Sequence, residues 1–209
     1  MSDEIKSIAP SVLGMPSNTP VQAVQQTGEK NVFASHVDSM NVTIQTNMAP
    51  QLLQPNKVVS VNADTTHYNL FVTVGADIER SMPFMLDLER VLTEYMNDDL
   101  KAEFSTLSDA AIAKIKTFPS IFANENTDYG HTDENQVLGL GFVKQIKVRH
   151  EGVRIYPDIR YLLPQQRLNE ALFELDIRGN DSFNELNRIH WCIKKVDLIA
   201  ELRELGFNI

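Results

Sequence analysis

The chain has 209 residues, 43% apolar and 22% charged, which is the balance of a packed globular protein rather than of a disordered or fibrous one. That length allows one substantial domain, or one domain with a tail, and argues against two enzyme-sized domains. A formal net charge of −9 repels a phosphate backbone at long range and disfavours non-specific nucleic-acid binding by the molecule as a whole.

Residues 1–30 carry Pro10, Pro16 and Pro20 with Gly14 and Gly28, and Ser11 to Gly28 contains no charged side chain. This stretch reads as an irregular arm with no periodic apolar face, so ordering it requires a partner. Residues 31–56 form a strand or hairpin segment and a linker. Val32 alternates with Phe33 and Val37, a second period-two run holds Val42 and Ile44, and Pro50 and Pro55 follow. Two strands at most bury little apolar area, so this segment is expected to associate with another sheet edge or another chain through those five residues.

The main body is expected over residues 57–209. VVSVNA and HYNLFVTV read as strands from their Val, Thr, Phe and Tyr content, and Gly75 breaks the second. Leu88, Val91, Leu92, Tyr95 and Met96 recur at helical spacing behind Asp87, which predicts a helix capped by that aspartate. A second helix is expected from Ser108, with Ala111, Ile112 and Ile115 on one face, stopping before Pro119. Thr117 to Ala123 then leads into a polar loop at residues 124–135.

Phe142, Ile146 and Val148 share the parity of one strand face, Glu151 and Gly152 signal a turn, and Val153 and Ile155 restart the alternation, which predicts a long antiparallel hairpin. Pro164 is expected to open a helix carrying Leu168, Leu172 and Leu175, with Gly179 past its end. SFNE at 182–185 has the spacing of a capping box, HWCIKKV reads as a strand, and Asp197 caps a last helix with Leu198, Ile199, Leu202 and Leu205 in a stripe. The fold class expected is α+β, with a mixed, mainly antiparallel sheet and flanking helices.

Charge is unevenly distributed. Residues 1–138 hold 8 Lys and Arg against 18 Asp and Glu, while residues 139–209 hold 11 against 10. The hairpin concentrates Lys144, Lys147, Arg149, Arg154 and Arg160, and of these Lys144, Lys147 and Arg154 are candidate ligand-binding residues. The ordinary account is a solvated hairpin face. The loop holds Glu125, Asp128, His131, Asp133 and Glu134, a stock of groups suited to a divalent cation or to carboxylate-assisted hydrolysis, so Glu125, Asp128 and His131 are candidate catalytic residues. Its spacing does not follow the EF-hand pattern, and a solvated acidic loop is the plainer account. His190 and Cys192 share one strand face and could touch, yet a buried cysteine beside a hydrogen-bonded histidine explains them more simply than a thiol-imidazole dyad.

The glycines of LGLGF match neither GxxxxGK nor GxGxxG and fit a bulge or a sheet crossing better than a phosphate loop. Trp191, the single tryptophan, reads as a core anchor whose indole N–H needs one acceptor. A lone cysteine builds no internal disulfide and no CxxC site, the opening MSDEIKSIAPSVLG lacks a basic lead and a signal-length apolar core, and no apolar run reaches membrane-spanning length. A cytoplasmic location and no membrane partner are therefore expected.

YNLFV, LTEYM, IKTFPSIFANEN, GFVKQIKV and ELNRIHWCIKKVDL resemble segments of a family of small bacterial proteins, and GEKNVFASHVDSMNVTI is similar to segments of bacterial conflict and anti-phage defence proteins that mediate association. The resemblance covers about three quarters of the chain and implies a setting, bacterial defence or a similar multi-component system, without implying catalytic residues. Three functions stand open on the sequence. The first is a non-enzymatic interaction or adaptor subunit with no cofactor, joined to a protein partner or to itself. The second is a hydrolase or nuclease that uses the 124–135 loop with a divalent cation. The third is a sensor binding a nucleotide or nucleic acid near Lys144 and Arg154.

Overall fold

A computed structural model describes residues 63–209 of the chain. The arm, the 31–56 segment with Val32, Phe33, Val37, Val42 and Ile44, and residues 57–62 of the expected body lie outside the described residues.

Among the described residues, six strands form one sheet in the order β2-β5-β4-β3-β1-β6. They are β1 (Tyr68–Thr73), β2 (Phe84–Leu86), β3 (Pro119–Asn124), β4 (Val137–Arg149), β5 (Gly152–Pro164) and β6 (His190–Lys194). β1 and β3 run parallel and every other neighbouring pair is antiparallel. Four helices, α1 (Asp98–Phe104), α2 (Asp109–Ile115), α3 (Gln166–Asn169) and α4 (Leu198–Glu204), complete an α+β fold.

The middle of the sheet follows from composition. YNLFVT and HWCIK are buried at every position, so β1 and β6 are covered on both faces. Register then sorts their side chains. Phe71 lies opposite Phe122 and Trp191 and stacks on both, with centroids 5.1 and 4.9 Å apart. The expected acceptor for the tryptophan is Asn69, whose Oδ1 is 3.3 Å from the indole nitrogen. On the opposite face Tyr68, Leu70 and Val72 lie beside Lys194, Cys192 and His190, and the Tyr68 hydroxyl donates to the Leu175 carbonyl at 2.6 Å.

Two predicted helices form as expected. Ser108 Oγ accepts from Ala111 N at 3.2 Å to start α2, which buries Ala111 and Ile115. Asp197 Oδ1 accepts from Ala200 N at 3.1 Å to start α4, which buries Leu198 and Leu202.

Other expectations are corrected. Leu88–Met96 is not a helix: it holds one 3-10 turn, Leu88–Arg90, and Asp87 makes no side-chain cap bond. Val91 bridges to Trp191, Leu92 N donates to the Trp191 carbonyl at 2.8 Å, and Leu92 and Tyr95 have φ of 54° and 60°. The outer edge of β6 draws this backbone alongside it, while Leu92 and Met96 stay buried. The helix starts later, where Asn97 Oδ1 accepts from Leu100 N at 2.8 Å.

PSIFAN, read as a lead-in to the loop, is strand β3. Pro164 ends β5 instead of opening a long helix, and Leu168, Ala171 and Leu175 are buried along a short helix and successive turns. The capping residue near 182 is Asn184, not Ser182, and its reciprocal partner is Asn187, which leaves Glu185 free to point inward.

In the hairpin, Val143 and Ile146 are buried while Phe142 is partly exposed and Val148 exposed. The cause is a β-bulge. The register shifts between Val143 and Gln145, so Lys144 is the unpaired extra residue and the parity of the strand inverts there. A second shift between Leu140 and Gly141 makes Arg160 the extra residue of β5, which is the bulge expected at LGLGF.

Candidate functional site

The feature that stands out from the body is the distal half of the β4–β5 hairpin. Pairing with β3 ends at Phe142, so among the described residues β4 from Val143 to Arg149 bonds to β5 alone and its other edge is free. On the far side of β5 only the three residues of β2 add on. The bulge sets which side chains face out: Lys144, Gln145, Lys147 and Arg149 on β4 are exposed, as is Arg154 on β5.

Lys147 sits directly opposite Arg154, and Arg154 directly opposite the exposed Met85. Like charges in cross-strand register oppose sheet pairing. Among the described residues Lys144, Lys147, Arg149 and Arg154 form no ion pair, whereas Arg160 is held 2.6 Å from Asp158. Partly exposed Tyr156, opposite Gln145, is the next residue along the same face from the two facing cations, with Lys147 Nζ 5.0 Å from its ring centroid. Donation from the Lys147 ammonium, with Arg154 nearby, holds the Tyr156 hydroxyl below the ordinary tyrosine range. The result is an open cationic face with one aromatic ring on it, flanked by an unpaired strand edge.

The acidic loop is built differently. Glu125 Oε1 accepts from Ile189 N at 3.0 Å, which ties the loop to the chain entering β6, and Asp128 Oδ1 accepts from Tyr129 N at 2.7 Å within the loop, so both carboxylates serve backbone. His131 is exposed with Nδ1 3.4 Å from the Gln166 amide, and Asp133 and Glu134 are exposed. The side chains of Glu125, Asp128 and His131 are not gathered at one point: among the described residues the one cluster of three ligand-type groups is Glu185, His190 and Cys192.

What organises the loop is a set of carboxamides that the sequence reading passed over. Asn126 and Asn169 exchange bonds of 3.0 and 3.1 Å, Asn184 donates to Asn169 at 2.9 Å, Asn187 accepts from Gly130 N at 3.2 Å, and Gln165 donates to the Asn124 carbonyl at 2.6 Å. Their sequence signal is faint, because isolated Asn and Gln are ordinary loop residues.

His190 and Cys192 do share a face of β6, and both are fully buried. Burial pushes the Cys192 thiol far above its ordinary range, which disfavours a free thiolate there. Cys192 Sγ lies 3.8 Å from Glu185 Oε2, and Glu185 Oε1 is paired with Lys194 Nζ at 2.8 Å. This buried acid–base pair is the clearest group missed in the sequence. Elsewhere, Ala76, Ile78, Asn124 and Gln136 line a shallow depression of about 240 Å³ with Asp77 and Glu79 at it. Exposed Tyr129 and Phe183 approach to 6.3 Å between centroids. Among the described residues no helix is long and apolar enough to cross a membrane. Compared with protein-family models, curated proteins and solved structures, the chain matches none.

Proposed function

We propose that the chain is a non-enzymatic interaction subunit of a bacterial multi-component assembly, with anti-phage defence as its setting, and that the β4–β5 hairpin is its docking element. The observation carrying this reading is the pairing of Lys147 against Arg154 beside the unpaired edge of β4, both without an acidic partner among the described residues. A free edge accepts an added strand, and cations along it favour an extended acidic segment over an apolar one. The partner is therefore a protein segment rich in Asp and Glu. The bacterial setting is supported by the resemblance of the segments quoted above, and the 31–56 segment supplies a second point of association.

The test is the native mass, by light scattering, of the full chain co-expressed with the products of neighbouring genes. A stable assembly is expected for the wild type, and its loss in a Lys147→Glu/Arg154→Glu variant whose circular dichroism is unchanged. A monomer with every neighbour, or an assembly unaffected by the double variant, overturns the reading. Deleting residues 1–56 is expected to weaken the same assembly.

A second reading, a nucleic-acid sensor, is favoured by the placement of Tyr156 among these cations, since a base can stack on such a ring. Single-stranded oligonucleotide affinity that falls steeply with salt and is lost in Lys144→Glu would select it over the protein partner.

A further inference from the structure

Glu185, His190 and Cys192 converge from the turn before β6 and from one face of β6 itself, and all three are buried. Glu185 and His190 are each oriented by bonds made on the far side. Glu185 Oε1 accepts from Lys194 Nζ at 2.8 Å and from Arg178 N at 2.8 Å, which turns Oε2 toward the other two groups. His190 Nδ1 lies 2.8 Å from the Arg188 carbonyl. A carbonyl only accepts, so Nδ1 carries a proton, and with the ring neutral Nε2 presents a lone pair.

That lone pair has no hydrogen-bond partner among the described residues, although His190 is fully buried. It faces Glu185 Oε2 at 3.5 Å, acceptor against acceptor, with Cys192 Sγ 3.8 Å from the same oxygen. Buried polar atoms left in this state are rare and costly.

We propose that these three side chains form a structural site for one divalent cation of the zinc class. The donor set of imidazole nitrogen, thiolate sulfur and carboxylate oxygen is one that zinc takes, and a histidine ligand whose other N–H donates to a backbone carbonyl is the usual arrangement around it. Zinc bond lengths at tetrahedral angles separate donors by about 3.3–3.6 Å. The separations here are 3.5 and 3.8 Å, with all three atoms within 4.8 Å of one another, so closure on the ion takes at most about an ångström of movement.

On binding, the Cys192 S–H bond breaks, its proton leaves to solvent, and the sulfur lone pair joins the metal. The ion and thiolate together add one positive charge, no more than protonating His190 would, yet they satisfy three donors at once. Full burial leaves no path for a substrate, which makes the role structural, and since the described residues gather three donors the fourth tetrahedral position falls to a water. The site is independent of the hairpin and of the function proposed for it.

The test uses the full chain, stripped with a chelator and titrated with Co²⁺ and Zn²⁺. One equivalent of Co²⁺ is expected to give the intense visible bands of tetrahedral coordination and a thiolate charge-transfer band. Zn²⁺ should displace it and raise Tm. Cys192→Ser should lose the charge-transfer band, and His190→Gln should weaken binding at least about tenfold. Folding of each variant is checked by Trp191 emission. A folded wild-type chain that takes up no stoichiometric Zn²⁺ and gives no Co²⁺ bands overturns the proposal, whatever the variants do. A charge-transfer band surviving in Cys192→Ser also overturns it, because Cys192 is the only thiol.

Discussion

Glu185 is 1% exposed and Lys194 is 1% exposed, and their ion pair is closed by bonds that leave neither head group idle: Lys194 Nζ also reaches the Tyr95 carbonyl at 2.9 Å, and Glu185 also accepts from Arg178 N. Removing one partner of such a pair leaves a buried charge without compensation. Lys194→Met is therefore expected to cost about 3–5 kcal/mol, measured by urea denaturation, far more than the loss of a surface ion pair such as Arg80–Asp77. A cost below about 1 kcal/mol would mean that water or another cation reaches Glu185. At this scale Trp191 is legible from sequence, since a lone indole in an apolar strand must find an acceptor, and Asn69 provides it. Glu185 is not. Its position three residues after Ser182 imitates a capping box, and only the approach of β6 shows that its carboxylate turns inward.

The secondary-structure elements divide along the same line. Ser108 and Asp197 cap the helices expected of them because capping is decided within one turn of chain. The stretch Leu88–Met96 has helical spacing, but a bridge and a hydrogen bond to Trp191 draw it along the sheet edge. The hairpin's turn and two long strands are readable, while its face is not, because a single inserted residue reverses the alternation. A methyl group at Gly141 would lie directly against the Asp158 carbonyl at the bulge between Leu140 and Gly141. Gly141→Ala should lower stability by about 1–3 kcal/mol through the backbone shift it forces, read as a fall in the urea midpoint at constant m. An unchanged midpoint would show that the bulge relaxes without cost.

At the scale of the whole molecule, the buried apolar side chains from Tyr68 to Leu202 form one connected cluster among the described residues. A fragment of residues 57–209 is expected to unfold in one cooperative step, with coincident transitions by far-ultraviolet circular dichroism and Trp191 fluorescence. Separate transitions, or none, would mean that residues 1–56 are needed to complete the core. The net charge of −9 describes the chain but not its surface: four hairpin cations face out together because the bulge and the β2-β5-β4 order put them there. The α+β class, the capped ends of α2 and α4, the hairpin turn and the core tryptophan are readable from the residues alone, because each depends on residues a few positions apart. The parallel pairing of β1 with β3, the irregular path of Leu88–Met96, the outward face of the hairpin and the meeting of Glu185 with His190, Cys192 and Lys194 were decided only by tertiary structure. Those contacts join distant or differently facing residues, and the burial and hydrogen bonding they bring outweigh the fraction of a kilocalorie per residue by which local propensity prefers another shape.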